Sequence, residues 1–180
     1  MKKIVLVCGL IAGLIMATVM VVSTMLYHKN GRFEGSMLIG YASMILAFSL
    51  IFIAIKNYRD QYNNGIISFG KAFKIGLYIT LVASTIYVLV WLIEYYFFIP
   101  DFMDRYGAYV MRQAAAAGAT QQELSDKVNE MARYKQLYQN PLMVILLTFM
   151  EVLPVGIIVS LICSLILKRK HAQTTGMAAG

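Results

Sequence analysis

Residues 148–158 read TFMEVLPVGII. The segment sits inside an apolar run over 142–167. A run of that length covers the ~20 residues a helix needs to cross ~30 Å of hydrocarbon. Two residues break its character: Glu151 places a carboxyl among methyl groups, and Pro154 removes a backbone donor. Whether this stretch is a membrane span decides the fold, and the rest of the chain answers.

Three further runs of the same kind occupy 4–27, 37–55 and 75–99. The 180-residue chain is 59% hydrophobic and 14% charged, with a mean hydropathy of +0.67. A soluble domain carries about 25% charged residues, so the apolar surplus here faces lipid. Gly, Ser and Thr within the runs are compatible with spanning, because a helix satisfies its own backbone groups. The expected fold class is all-α: a single membrane domain over 1–180 with four transmembrane helices.

The flanking charges give an orientation. Lys2 and Lys3 precede the first run, Lys56, Arg59, Lys71 and Lys74 lie between the second and third, and Lys168, Arg169 and Lys170 follow the fourth, with Asp60 the only acid on that side. The other side carries Lys29, Arg32 and Glu34, then a longer segment whose acids and bases balance. Short basic loops stay cytoplasmic. The expectation is a multi-pass protein of a bacterial inner membrane, N and C termini cytoplasmic, with 28–36 and 100–141 outside. The start MKKIVLVCG resembles a signal peptide, but the apolar stretch continues to Tyr27 and no A-x-A site closes it, so a retained span is expected.

The outside segment is bounded by Pro100 and Pro141. Proline suits the first turn of a helix, so Asn140-Pro141 reads as the start of the fourth span and Pro100, with Asp101 and Asp104, as another helix start. Phe102, Tyr106, Tyr109, Val110, Ala114 and Ala117 then follow helical spacing, AGATQQE interrupts, and Thr120 with Glu123 forms a capping-box pattern. Leu124, Val128, Met131 and Tyr138 give the next helix its stripe. An extracytoplasmic helical hairpin over 101–139, between helices three and four, is expected.

Small residues recur at Gly9, Gly13 and Ala17, a strip for close helix packing within the bundle or, second, between two copies. In 56–76, Asn63-Asn64-Gly65 signals a turn, and a helix from 69 runs into the third span. Lys56, Arg59, Lys71 and Lys74 are candidate contacts for anionic lipid at roughly 1 kcal/mol each; the plainer reading is a flank that only sets topology.

The net charge of +7 and pI of about 9.4 raise nucleic acid as a partner. The bases instead flank apolar runs, no aromatic-plus-basic motif accompanies them, and nucleic acid is excluded. Cys8 and Cys163 lie inside apolar runs and His28 and His171 in separate flanks, so neither a disulfide framework nor a metal site is expected, and no cofactor. No nucleophile elbow, phosphate-binding loop or zinc motif appears, so the expectation is a non-enzymatic protein.

The candidate site is Glu94 and Glu151 with Pro154 and Gly156. Acids within membrane helices are functional candidates by default. Glu151 lies about 15 Å along its helix from Pro141, near mid-membrane, and Glu94 about 9 Å from Pro100 on the same side. No Lys or Arg lies within any of the four runs, so desolvation is expected to raise both carboxyls and Glu151 is expected protonated at neutral pH. Pro154 frees the Met150 carbonyl. A protonated Glu151 has two uses. It donates to that carbonyl or to a neighbouring helix, with Gly156 allowing the neighbour close, or it serves a proton-coupled or ligand site at an interrupted helix. The first use accompanies the expected role, assembly or partner binding, with the bilayer, a second copy or a membrane-protein partner as associates. The second accompanies the alternative, a small transporter or transporter accessory subunit.

Four stretches, GYASMILAFSLIFIAIKNYRD (40–60), NNGIISFGKAFKIG (63–76), WLIEYYFFIPDFM (91–103) and EVLPVGIIVSLI (151–162), resemble the family known as domain of unknown function 4199, found in Bacteroidetes. The resemblance covers nearly the whole chain. It implies a small multi-span membrane protein of that lineage, and it implies no activity and no site residue.

Overall fold

Apolar side chains recur so densely in this chain that each long run satisfies its backbone as a helix before it finds a partner. The computed structural model describes the backbone of residues 1–30 and 36–169 and the side chains of 1–26 and 38–169. Residues 31–35 with Arg32 and Glu34, the side chains of His28 and Lys29, and 170–180 with Lys170 and His171 lie outside the described residues.

The chain is an all-α polytopic membrane protein. Its elements are α1 (Lys2–Asn30), α2 (Ser36–Phe48), α3 (Leu50–Tyr62), α4 (Phe69–Ile93), a π-helical turn Glu94–Phe98, α5 (Phe102–Ala116), α6 (Gln121–Leu137) and α7 (Pro141–Leu167). Four stretches are long and apolar enough to cross a membrane: Lys2–Leu26, Leu38–Tyr62, Phe69–Phe98 and Pro141–Leu167. The second outruns its expected 37–55. Charges at a membrane end do not stop a helix, and α3 ends only where Asn64 and Gly65 turn to positive φ (51° and 76°). Between α2 and α3 the chain stays helical at Ser49, whose hydroxyl bonds back to the Leu46 carbonyl at 2.6 Å. That competition with the ladder interrupts the span without ending it.

Met16, Phe48, Ile51, Ile55, Ile75, Ile79 and Val152 are fully buried and form one core across all four spans. Small residues draw the helices together there. A Cβ on Gly9 would lie 2.8 Å from Val82 and one on Gly13 2.8 Å from Ile86, so α1 rests on α4 through these glycines, and Ala17 is buried one turn further. On the other side of α4, a Cβ on Gly76 would lie 2.6 Å from the Ser160 hydroxyl, and one on Gly156 would collide with Thr80 and the Phe48 ring. Thr80 and Ser160 meet at 3.3 Å in this seam and also donate back to Gly76 and Gly156 carbonyls.

One end of the bundle is latched near the termini. Ile67 and Arg169 exchange two backbone hydrogen bonds (3.2 and 2.9 Å), and Arg59 reaches the Leu167 carbonyl at 3.4 Å, covering orphan acceptors at the end of α7. The other end carries the hairpin of α5 and α6. Gly118, at φ +80°, makes its turn, and Thr120 with Glu123 forms the reciprocal capping box. Asp104 pairs with Lys135 across it. Pro100 does not start α5. It keeps Ile99 out of the helical region (φ −134°, ψ 56°) after the π turn, and Asp101, at the N-cap, makes no side-chain cap bond and pairs with Arg105 instead. At α7 the expected start is observed: the Asn140 side chain accepts from the Leu142 N–H ahead of Pro141.

Candidate functional site: a cavity beneath the hairpin

The hairpin is seated by aromatic rings. Trp91 of α4 meets Phe102 of α5 edge-on at 5.0 Å, and Tyr95 meets Tyr138 at 5.3 Å. Met20, Met103 and Val144 complete this second apolar cluster. Rings of this size hold the hairpin off the spans and leave a cavity of about 490 Å3. Met16, Met20 and Thr24 of α1 and Tyr41 and Ser43 of α2 form one wall. Tyr87 and Trp91 of α4 and Thr148 and Glu151 of α7 form another. Phe102, Tyr106, Glu130, Tyr134 and Tyr138 of the hairpin cover it.

Glu151 faces this space. It makes no hydrogen bond to another described residue; the expected bond to the Met150 carbonyl or to a neighbouring helix is absent, and α7 runs on as one helix through Pro154. Met150 lies 73% exposed, whereas Glu151 borders the cavity, one turn from the buried Thr148. Gly156 lies below, where it admits Thr80 of α4 and Phe48 of α2. It closes the bundle under the cavity and does not serve Glu151.

Glu94 occupies a different place. It begins the π turn, in which the Ile99 N–H bonds the Glu94 carbonyl at 3.0 Å, and such turns often mark functional positions. The side chain is 7% exposed. The Thr24 hydroxyl of α1 hydrogen-bonds one carboxyl oxygen, and the other, Oε2, is buried with no described partner. Glu94 lines a separate, mainly apolar groove of about 290 Å3 between α1 and the end of α4. The two acids are therefore not one site. Thr24 borders both spaces, the one side chain they share among the described residues.

Around the cavity, burial first and the Glu151 carboxylate second push the Tyr138 phenol up to about 12. Tyr106 is raised as well, by burial and then by neighbours that include Glu130 and Glu151. The Tyr138 and Tyr106 phenols are therefore neutral throughout the physiological range. Among the described residues no group of three or more His, Cys, Asp or Glu side chains is placed to hold a metal ion.

The remaining candidates lie at the latched end. Lys56 and Lys74 are exposed. Arg59 pairs with Asp60 at 2.6 Å. Lys71 reaches Asn63 at 3.2 Å and stands 5.1 Å over the Tyr58 ring. Cys8 and Cys163 are free. The sequence reading missed Thr24, Tyr41, Tyr87, Trp91 and Glu130. Ser23 and Thr24, the polar pair of a run that is otherwise apolar at that depth, were the available signal.

A family model described as Protein of unknown function (DUF4199) matches residues 8–169, and the chain belongs to that family. Comparison with curated proteins and with solved structures returns no match.

Proposed function

We propose that this multi-pass membrane protein binds a small molecule in the cavity beneath the hairpin, as a small transporter or a transporter accessory subunit, without enzymatic activity. One observation carries the reading: Glu151, a carboxyl midway along an apolar span, opens onto a cavity of about 490 Å3 and has no described hydrogen-bond partner. An acid retained only to brace a helix would be bonded, because an unpaired polar group in hydrocarbon is costly. The volume falls within the range of small-molecule sites. Below it the α4–α7 seam leaves no room for a passage, so a transport cycle needs that seam to move or a second copy to complete the path.

The proposal places the chain in a bacterial inner membrane with both termini cytoplasmic, since the basic flanks Lys2, Lys3, Lys56, Arg59, Lys71, Lys74, Lys168 and Arg169 gather at the end opposite the hairpin. The hairpin is then outside and the cavity in the outer half. Exposed Lys56 and Lys74 suit anionic lipid at the inner face. The Bacteroidetes lineage rests on the sequence resemblance.

The competing reading is assembly with a second copy or a protein partner. Gly9 and Gly13 do not favour it, because α4 already covers them. Native mass spectrometry from lipid nanodiscs, wild type beside Glu151→Gln, decides between the two. A small molecule bound to wild type and lost from the variant is expected. Identical spectra showing only the protein, itself oligomeric or with a protein partner, would reject the binding reading for assembly.

A further inference from the structure

The lining of the cavity selects a sign of charge, and this inference rests on the reading that the cavity holds a small molecule. Its acids are Glu151 from α7 and Glu130 from α6, and no Lys, Arg or His among the described residues borders it. Its walls are aromatic: Tyr41, Tyr87, Trp91, Phe102 and Tyr134 contribute ring surface. Ring faces are electronegative, and a cation over Trp or Tyr is attracted, the more so where water is excluded. Carboxylates and ring faces thus act in the same sense. An anion meets repulsion from Glu130, whereas a cation beside Glu151 favours the ionised form of that carboxyl and is attracted by it. A bare metal ion lacks a ligand set among the described residues, and the cavity is far larger than one ion.

We propose that the cavity binds an organic ammonium cation with an apolar body, its charge held by Glu151 and Glu130 and its body against the Trp91 and Tyr87 wall. Two sources share that chemistry, a free amine and the ammonium headgroup of an aminophospholipid.

Trp91 is the only tryptophan of the chain and borders the cavity, so its fluorescence reports occupancy without a label. The full chain in phosphatidylglycerol nanodiscs is titrated with benzyltrimethylammonium, with its neutral carbon isostere neopentylbenzene, and with phenylmethanesulfonate. Empty nanodiscs correct for partitioning. The expected result is a saturable change in Trp91 emission with the cation, at least tenfold weaker for the isostere and absent for the anion. Glu151→Gln weakens the cation at least tenfold, and Glu130→Gln, on an exposed helix face that folding does not depend on, at least threefold. Equal binding of cation and isostere, or tighter binding of the anion, overturns the charge selection and leaves the binding reading standing. No saturable change with any of the three overturns both. The cation–isostere comparison uses wild type alone, so a misfolded variant does not obscure it. Phosphatidylethanolamine added to the nanodiscs names the source: competition with the probe identifies a lipid headgroup, and unchanged binding a free amine.

Discussion

The pair of α4 and α7 behaves as two different machines along its length. Toward the termini, Gly76, Thr80, Gly156 and Ser160 let the backbones approach until a single added methyl would collide. Toward the hairpin, the same two helices carry Tyr87, Trp91, Thr148 and Glu151 and stand around open space. Nothing in the backbone requires the change. Side-chain size does: small residues bring helices into contact in lipid, and rings wedge them apart. The lesson is that in a four-span protein the cavity and the seam beneath it are one design, because a closed half holds the open half in place.

The largest expected effect comes from breaking the closed half. Gly156→Val should cost about 3 kcal/mol, the upper range for overpacking a tight core, because both Thr80 and Phe48 must give way. Unfolding in mixed detergent measures it, and a loss under about 1 kcal/mol would show the seam to be looser than it stands here.

The open half should respond in function and not in fold. Glu151→Gln is expected to leave stability within about 0.5 kcal/mol, as for a side chain bonded to no neighbour, while cation affinity drops tenfold, or about 1.4 kcal/mol. A variant that melts much earlier would mean that Glu151 braces the bundle after all.

The roof is next. Thr120→Ala removes the cap that starts α6 and should loosen the hairpin by about 1 kcal/mol, seen as faster amide exchange in 121–137 with the spans unchanged. Exchange rising equally in α7 would mean that roof and spans open as one unit. Thr24→Val, which strips Glu94 of its described partner, should cost about 0.6 kcal/mol, the average for a hydrogen bond between membrane helices. Thermal melting of Thr24→Val, Glu94→Gln and the double variant tests this; additive losses would show that the two do not interact.

The smallest effect is a pH dependence. The Thr120 backbone and side-chain bonds lower the Glu123 carboxyl below its ordinary range. A depressed folded value contributes stability that is present above the unfolded pKa of about 4.3 and is lost as pH falls through the folded one. Protection of the α6 amides, corrected for the intrinsic pH dependence of exchange, should therefore fall below about pH 4 in wild type and show no such step in Glu123→Gln.

Much of the fold was legible because membrane helices announce themselves by length and hydropathy, and the hairpin by Pro141, Thr120 and Glu123. The site was legible only in part. Glu151 stood out as an acid in an apolar run, but its setting depends on residues from α1, α2, α4, α5 and α6 that no periodicity links. Thr24 and Glu94 lie 70 positions apart. The direction in which Glu151 points could not be read from Pro154, because rotation about the helix axis is set by packing, here by Gly156 against α4. Pro100 misled for a similar reason: its constraint acts on Ile99 before it, and α5 starts beyond it.

The backbone bridge between Ile67 and Arg169 bears on the order in which the protein comes into being. A ribosome that has delivered the first three spans into the bilayer has already supplied Gly9 and Gly13 with the α4 residues they pack against. The latch waits for a strand partner at position 169. During synthesis, then, the first and third spans can pair while the far end of the bundle stays unsealed, and the fourth span to insert is also the one that fastens it.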